Sequence, residues 1–357
     1  MKVRYPYRIY LRLILISWLP LLVMLVSKVS LAQLLPSASP TSDLQRQLEN
    51  SSDRGLIKEI REQADLLLES GQRAEQSGNF EVAIADWLQA LEIYEQIEDF
   101  EGLELTYDYL GQTYAQLGRY SLAEDALRRR LGIARYKKDL LGQIYGLNNL
   151  GTVLLQTGNL QAAEETFREG LIIARQLGSK EGEGLSLSNL GLVAARRGNY
   201  FEAIKHYQQA LKLRRSSGKA NTQNNLGDAY LAVERPSDAL NAYRIGLFLA
   251  TDNNNDVPNH FRALRGMVSS HSALKQYSPA LKRLNQHLTL AANQENRYEQ
   301  LRGLRLGAQV YQGAGNLALA KNLYEQAIAL ARVLGEAREE AFLRNDLAQI
   351  IYQRGSN

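Results

Sequence analysis

Between Gly71 and Ala348 the chain returns to a small residue about every forty positions: Gly71, Gly111, Gly151, Gly191, Gly227, Val268, Ala308 and Ala348. The successive steps are 40, 40, 40, 36, 41, 40 and 40 residues. A fixed period of this size marks stacked supersecondary units, because one unit alone cannot bury its apolar face and must lean on its neighbours. Such a chain folds as an extended array, not as a globule around one centre.

One unit runs Gly151, Leu154, Gly158-Asn159-Leu160, Ala163, Phe167, Gly170 and Leu171. The next repeats it as Gly191, Ala194, Gly198-Asn199-Tyr200, Ala203, Tyr207, Ala210 and Leu211, and the first as Gly71, Ala74, Gly78-Asn79-Phe80, Ala83, Trp87, Ala90 and Leu91. Apolar spacings of three and four on both sides of a Gly-Asn break predict two amphipathic helices joined by a tight turn. Glycine ends the first helix because it enters the left-handed region cheaply. Small residues at fixed places let helices approach, and Trp87, Phe167, Tyr207 and Tyr324 fill the space between them. The predicted fold class is all-α, a solenoid of stacked helical hairpins.

This order of small, aromatic, small and bulky residues resembles the tetratricopeptide repeat over roughly residues 64–357. The period near forty, with Asn149-Leu150-Gly151, Asn189-Leu190-Gly191 and Asn225-Leu226-Gly227, is similar to the longer subclass of kinesin light chains and Pins-type adaptors. The resemblance implies a right-handed α-solenoid of about seven units over residues 56–357, closed by a terminal helix from Ala341 to about Arg354. The chain departs from the pattern in places. The fourth unit is short around Arg214–Gln223, and the fifth has Glu234-Arg235-Pro236 at its turn and a polar insert, Thr251–Pro258. Gly266 and Gly307 sit one or two places early against Ala280 and Ala320, which leaves the register of the sixth and seventh units open by that much.

The first 32 residues differ from the rest. Lys2, Arg4, Arg8 and Arg12 precede the apolar run Leu13–Val26, and Ser30-Leu31-Ala32 precedes Gln33. A basic head, a short apolar core and a small-x-small exit describe a secretory signal peptide. Widened to residues 9–31 the run also reads as an uncleaved anchor, with Arg12 and Lys28 near its ends. Either way the array is expected outside the cytoplasm, in periplasm, lumen or medium or tethered to a membrane by this segment, since the basic flank stays inside. Residues 33–55, rich in Ser and Gln with Pro36 and Pro40, read as a flexible linker that turns helical near Leu44–Leu48.

The leader accounts for the net charge of +4. It holds five basic residues and no acid, so the remainder carries 37 basic against 38 acidic residues and nothing in that balance calls for nucleic acid. There is no cysteine, which removes disulfides, thiolate metal sites, a cysteine nucleophile and a lipidated cysteine. The four histidines, His206, His260, His271 and His287, have no paired spacing for a metal and read as packing or surface residues. Gly182-Glu183-Gly184 lacks the strand and lysine of a phosphate loop. Glu164-Glu165, Glu339-Glu340 and Arg128-Arg129-Arg130 read as solvated helix faces, with Arg130 standing where the pattern has a small residue. The chain is expected to be no enzyme and to need no cofactor or metal.

Binding residues follow from the resemblance, in which first helices line a concave groove. It points to Asn148, Asn149, Ser188, Asn189, Asn224 and Asn225, with Asp108 and Tyr109 in the preceding unit. An amide offers donor and acceptor together, so a ladder of them can pair with the backbone of an extended peptide. The alternative is that these asparagines bond between neighbouring repeats. A second set, Arg262, Arg265, Arg302 and Arg305, recurs at matching places one step apart. Stacked guanidinium forks suit carboxylates of a partner, or else pair with acids of the chain such as Glu295 and Glu299. The function expected is an exported or membrane-tethered scaffold that grips a peptide or partner helix, similar to exported bacterial, notably cyanobacterial, repeat proteins that aid complex assembly. Self-association of the array and a ligand-sensing receptor are the alternatives.

Overall fold

The computed structural model describes residues 41–252 and 256–355, and the expected leader lies outside them. Fifteen helices and no strand occur among the described residues. They pair as hairpins: α1 (Thr41–Gln76) with α2 (Phe80–Gln96), α3 (Phe100–Gln116) with α4 (Tyr120–Tyr136), and α5 (Leu140–Gln156) with α6 (Leu160–Leu177). Then follow α7 (Lys180–Arg196) with α8 (Tyr200–Leu213), α9 (Ser216–Ala232) with α10 (Pro236–Asp252), α11 (Val257–Ala273) with α12 (Tyr277–Asn293), and α13 (Arg297–Gly313) with α14 (Leu317–Val333). A single helix, α15 (Ala337–Gly355), packs on α14. Residues 41–55, expected as a linker, are helical as the start of α1. Among the described residues no helix is long and apolar enough to cross a membrane.

The joints explain the period. Most inter-helix turns hold one residue in the left-handed region, a glycine after α5 (Gly158, φ 81°) and a glutamate after α9 (Glu234, φ 57°). The Asn159 amide then closes on the Leu154 carbonyl at 2.9 Å, and its side chain accepts from the Ala162 amide at 3.3 Å to start α6. Glu234 thus fills the glycine role, with Pro236 opening the next helix. Of the fully described joints, α8–α9 lacks this turn and is the short step seen in the sequence, while the polar insert falls at the α10–α11 joint.

Packing follows the small-against-aromatic rule. A Cβ on Gly71 would lie 2.4 Å from Trp87, on Gly151 2.5 Å from Phe167, and on Gly191 2.5 Å from Tyr207. Trp87, Phe167, Tyr207, Tyr243 and Tyr324 are fully or almost fully buried, so five hairpins are closed by a ring at this place, while Leu127 and Leu284 take it in the other two. The register left open is settled: α11 and α13 begin 41 and 40 residues after their predecessors and put Val268 and Ala308, both buried, at the small position. First helices also touch first helices in the next hairpin, α5 with α7, α7 with α9, α9 with α11 and α11 with α13. That contact brings the predicted binding residues together.

Candidate functional site

Counted from the start of each first helix, Asp108, Asn148, Ser188, Asn224, Arg265 and Arg305 all occupy the ninth place. Asn148, Ser188 and Asn224 therefore share one repeat position with Arg265 and Arg305, while Asn149, Asn189 and Asn225 follow at the tenth place and Arg262 and Arg302 stand at the sixth. The geometry is a clasp between hairpins. Asn148 is buried, and its Nδ2 donates to the Ile144 carbonyl at 2.8 Å and to Ser186 Oγ at 2.9 Å. Its Oδ1 accepts from Asn189 Nδ2 at 2.9 Å. Ser188 shares a hydrogen bond with Thr222 at 3.1 Å, and Asn224 donates to the Asn259 carbonyl and Oδ1, each at 3.1 Å. With Ser188 turned to Thr222, Asn225 repeats the place of Asn189 but keeps its Nδ2 buried without a partner.

The expected ladder of open amides is thus closed for most of its length. Asn148, Ser188, Asn189, Asn224 and Asn225 are buried, because first helices approach closely enough to pair across the gap. Asn149 differs. It is half-buried, bonds Asp108 at 3.4 Å, and lines a cavity of about 270 Å³ between α3 and α5. Gln112, Gln116, Thr152 and Gln156 share that cavity. These were missed in the sequence, although Gln112/Thr152 and Gln116/Gln156 stand one forty-residue step apart. The three glutamines are exposed and offer their amides to solvent.

In the C-terminal half the clasp is ionic. Glu299, third in α13 and buried, receives the Arg265 guanidinium, Arg302 Nη1 at 2.6 Å and His287 Nε2 at 3.0 Å. Burial pushes its carboxyl up, but His287, Arg265 and Arg302 outweigh that and hold it at about 2. Arg305 repeats the arrangement towards Glu339 at 2.9 Å and Asp346 at 3.4 Å. Arg262 reaches Asn221 at 2.9 Å and Asp228. The arginines therefore pair with acids of the chain, Glu299 among them, and Arg302, at 59% side-chain exposure, stays the most open. Arg265, Arg302 and Arg305 line a second cavity of about 590 Å³ with Ser269, Tyr298, Gln309, Glu336 and Glu339.

One seat on the second helices explains the irregular residues. The eleventh place is small in Ala90, Gly170, Ala210, Gly246 and Ala327, and a Cβ on Gly246 would lie 2.6 Å from Asn224 Oδ1. Arg130 and His287 fill the same seat in α4 and α12. Arg130 Nε bonds Asp108 at 2.9 Å and its Nη1 the Gly142 carbonyl at 2.5 Å, so it is a clasp residue and not the solvated helix face expected. Burial raises the Asp108 carboxyl, with Arg130 opposing. Of the other histidines, His206 lies 3.7 Å from Glu202 and is lowered by burial, while His271 bonds Gln276 at 2.8 Å.

Hairpins stacked in register and clasped first helix to first helix define a helical-repeat solenoid. The model of the tetratricopeptide repeat family matches residues 142–216 and 182–247, the middle of the array, and the hairpins on either side have the same helical-hairpin fold. Among solved structures it is similar to the apo form of RapI, at 16% identity and a TM-score of 0.57, covering 77% of this chain and 99% of that one. The Rap conjugation gene regulator of plasmid pLS20, in complex with the Phr* peptide, matches at 17% and 0.56, covering 77% and 75%. A signal transduction ATPase with numerous domains and a tetratricopeptide repeat sensor, from Pyrococcus horikoshii, matches at 20% and 0.58, covering 81% of this chain and 45% of that one. These likenesses establish the fold. No curated protein sequence matches the chain.

Proposed function

We propose that the array is a non-enzymatic protein-interaction scaffold that holds an extended peptide or partner helix along its first-helix face. The observation that carries this reading is the cavity between α3 and α5, where Gln112, Gln116, Asn149 and Gln156 converge with no acid or base among its lining residues. Amides of this kind pair with a peptide backbone whatever its side chains. The cavity of Arg265, Arg302 and Arg305 is a second station on the same face, and Arg302 offers it a guanidinium for a partner carboxylate. A solved relative of the same fold, the pLS20 Rap regulator, is a peptide complex, which supports a peptide as the ligand class.

Gln112 and Gln156 are exposed, so replacing both by Ala leaves folding intact. Each lost amide bond is worth about 1 kcal/mol, and the double variant should hold its partner roughly thirtyfold more weakly. The comparison is a tagged pull-down from gently solubilised membranes, read by mass spectrometry, with wild type and Gln112→Ala/Gln156→Ala side by side. A partner kept equally by both proteins removes the amide station from the reading.

The scaffold works outside the cytoplasm in this proposal, on the strength of the basic head and apolar run of residues 1–32. Intact mass of the protein from its native membrane fraction should give a chain beginning at Gln33, or the full chain retained in the membrane. Full-length protein in the soluble cytoplasm would refute export.

A further inference from the structure

A cavity of about 810 Å³ lies on the opposite side, between second helices α10 and α12 with α11 as its floor. Leu247, Phe248, Leu264 and Leu290 make its apolar surface, and Phe248 is exposed. Arg244, Lys282 and Arg283 line it, and no acid does. Arg244 bonds Asn241 and Arg283 bonds Gln286, each at 2.9 Å and each a neutral amide of the same helix. Among the described residues none of the three cations has a carboxylate within 4 Å.

The equivalent groove two hairpins earlier shows what is unusual here. Between α6 and α8 it measures about 250 Å³, and its cations are neutralised. Glu164 takes Arg168 and Arg197, and Arg175 spans to Glu183 at 2.9 Å to close the joint. Arg332 and Glu340 repeat that closing pair at 2.9 Å between α14 and α15. At the α10–α11 joint the corresponding residues are Thr251 and His260, and the places of Glu164 and Glu202 are taken by Leu240 and Pro279. The acids and the closing pair are missing together, at the joint lengthened by the polar insert. His260 sits in the groove with its Nδ1 buried and unpartnered.

We propose that the α10–α12 groove docks an acidic amphipathic helix of a partner protein. A groove open along two second helices matches a third helix laid into it, with apolar side chains at three- and four-residue spacing on Leu247, Phe248 and Leu290. Its flanking carboxylates meet Arg244, Lys282 and Arg283, the charges the chain leaves uncompensated. The groove is too open to bury most of a small ligand, which is what a small-molecule site requires. This surface is separate from the first-helix face and uses none of its residues.

The test is selection from a displayed library of random peptides of roughly sixteen residues, long enough for about four helical turns, on the full array. Recovered peptides should carry apolar residues at helical spacing flanked by Asp and Glu. They should bind Arg244→Glu/Lys282→Glu/Arg283→Glu at least tenfold more weakly, bind more weakly as salt rises, and protect the amides of α10 and α12 from exchange. The variant Phe248→Ser should weaken the same peptides without reversing charge. All these side chains but Arg283 are exposed, and an unchanged melting curve confirms that each variant folds. The proposal fails if no peptide is enriched, if enriched peptides lack acids, or if they bind the triple variant equally. It fails too if Gln112→Ala/Gln156→Ala weakens them instead, or if dodecanoate, but no peptide, protects the groove. A doubling of mass in light scattering that the triple variant abolishes would assign the groove to a second copy and also overturn it.

Discussion

Glu299→Gln is expected to destabilise the joint between α12 and α13 by about 3 kcal/mol at pH 7. Glutamine copies the shape of the protonated acid, so the substitution removes the charge and little else. The folded carboxyl is held at about 2 against an ordinary value of 4.5, and each tenfold gain in acidity is worth about 1.4 kcal/mol. Because the folded value is depressed, the stabilisation is complete above the unfolded value, from about pH 5 upward, and is lost as pH falls towards 2. Urea unfolding of wild type and variant should therefore differ most at neutral pH and converge in acid. In a solenoid each hairpin leans only on its neighbours, so hydrogen exchange should localise the loss to α12, α13 and the adjoining helices. A difference between the proteins that stays constant from pH 7 to pH 3 would show that Glu299 is not held as a charged clasp.

Asn148→Ala should cost about as much, roughly 2–3 kcal/mol, for another reason. The amide makes three hydrogen bonds in a buried place, two of them to the next hairpin. Its loss leaves Asn189 Nδ2 with no bond and Ser186 without its partner, and a stranded buried polar group costs about 1–3 kcal/mol. Gln112→Ala, on an exposed side chain of the same face, should leave stability within about 0.5 kcal/mol of wild type. Melting and denaturant curves of the two variants separate clasp from binding surface. If Asn148→Ala melts as wild type while partner binding collapses, the amide faces a ligand and the clasp is wrong.

The position nine clasp shows where sequence reading stops. Asn148, Ser188 and Asn224 were legible as a recurring set, and so were Arg265 and Arg305, because the forty-residue step repeats them. Their common place was not, since the short fourth step and the insert before the sixth unit shift the count by several residues. Nor was their direction. An amide on a first helix pairs equally well with a peptide or with the next helix, and the choice depends on how near that helix comes. Gly182 belongs to that close approach, since a Cβ there would lie 2.8 Å from Ile144 of the preceding first helix, but the sequence alone does not say which neighbour it meets.

The sequence by itself determined the hairpin, its period, the turn between its helices and the pairing of each ring with a missing side chain. All of these are set by contacts within about forty residues, and local periodicity encodes them directly. Tertiary structure alone decided which polar residues are clasps and which are open. It turned Arg130 and His287 into clasp partners, gathered Gln112, Gln116 and Gln156 around Asn149, and left Arg244, Lys282 and Arg283 without acids. A side chain's role in a stack depends on the distance to a neighbour a whole unit away, and only packing sets that distance.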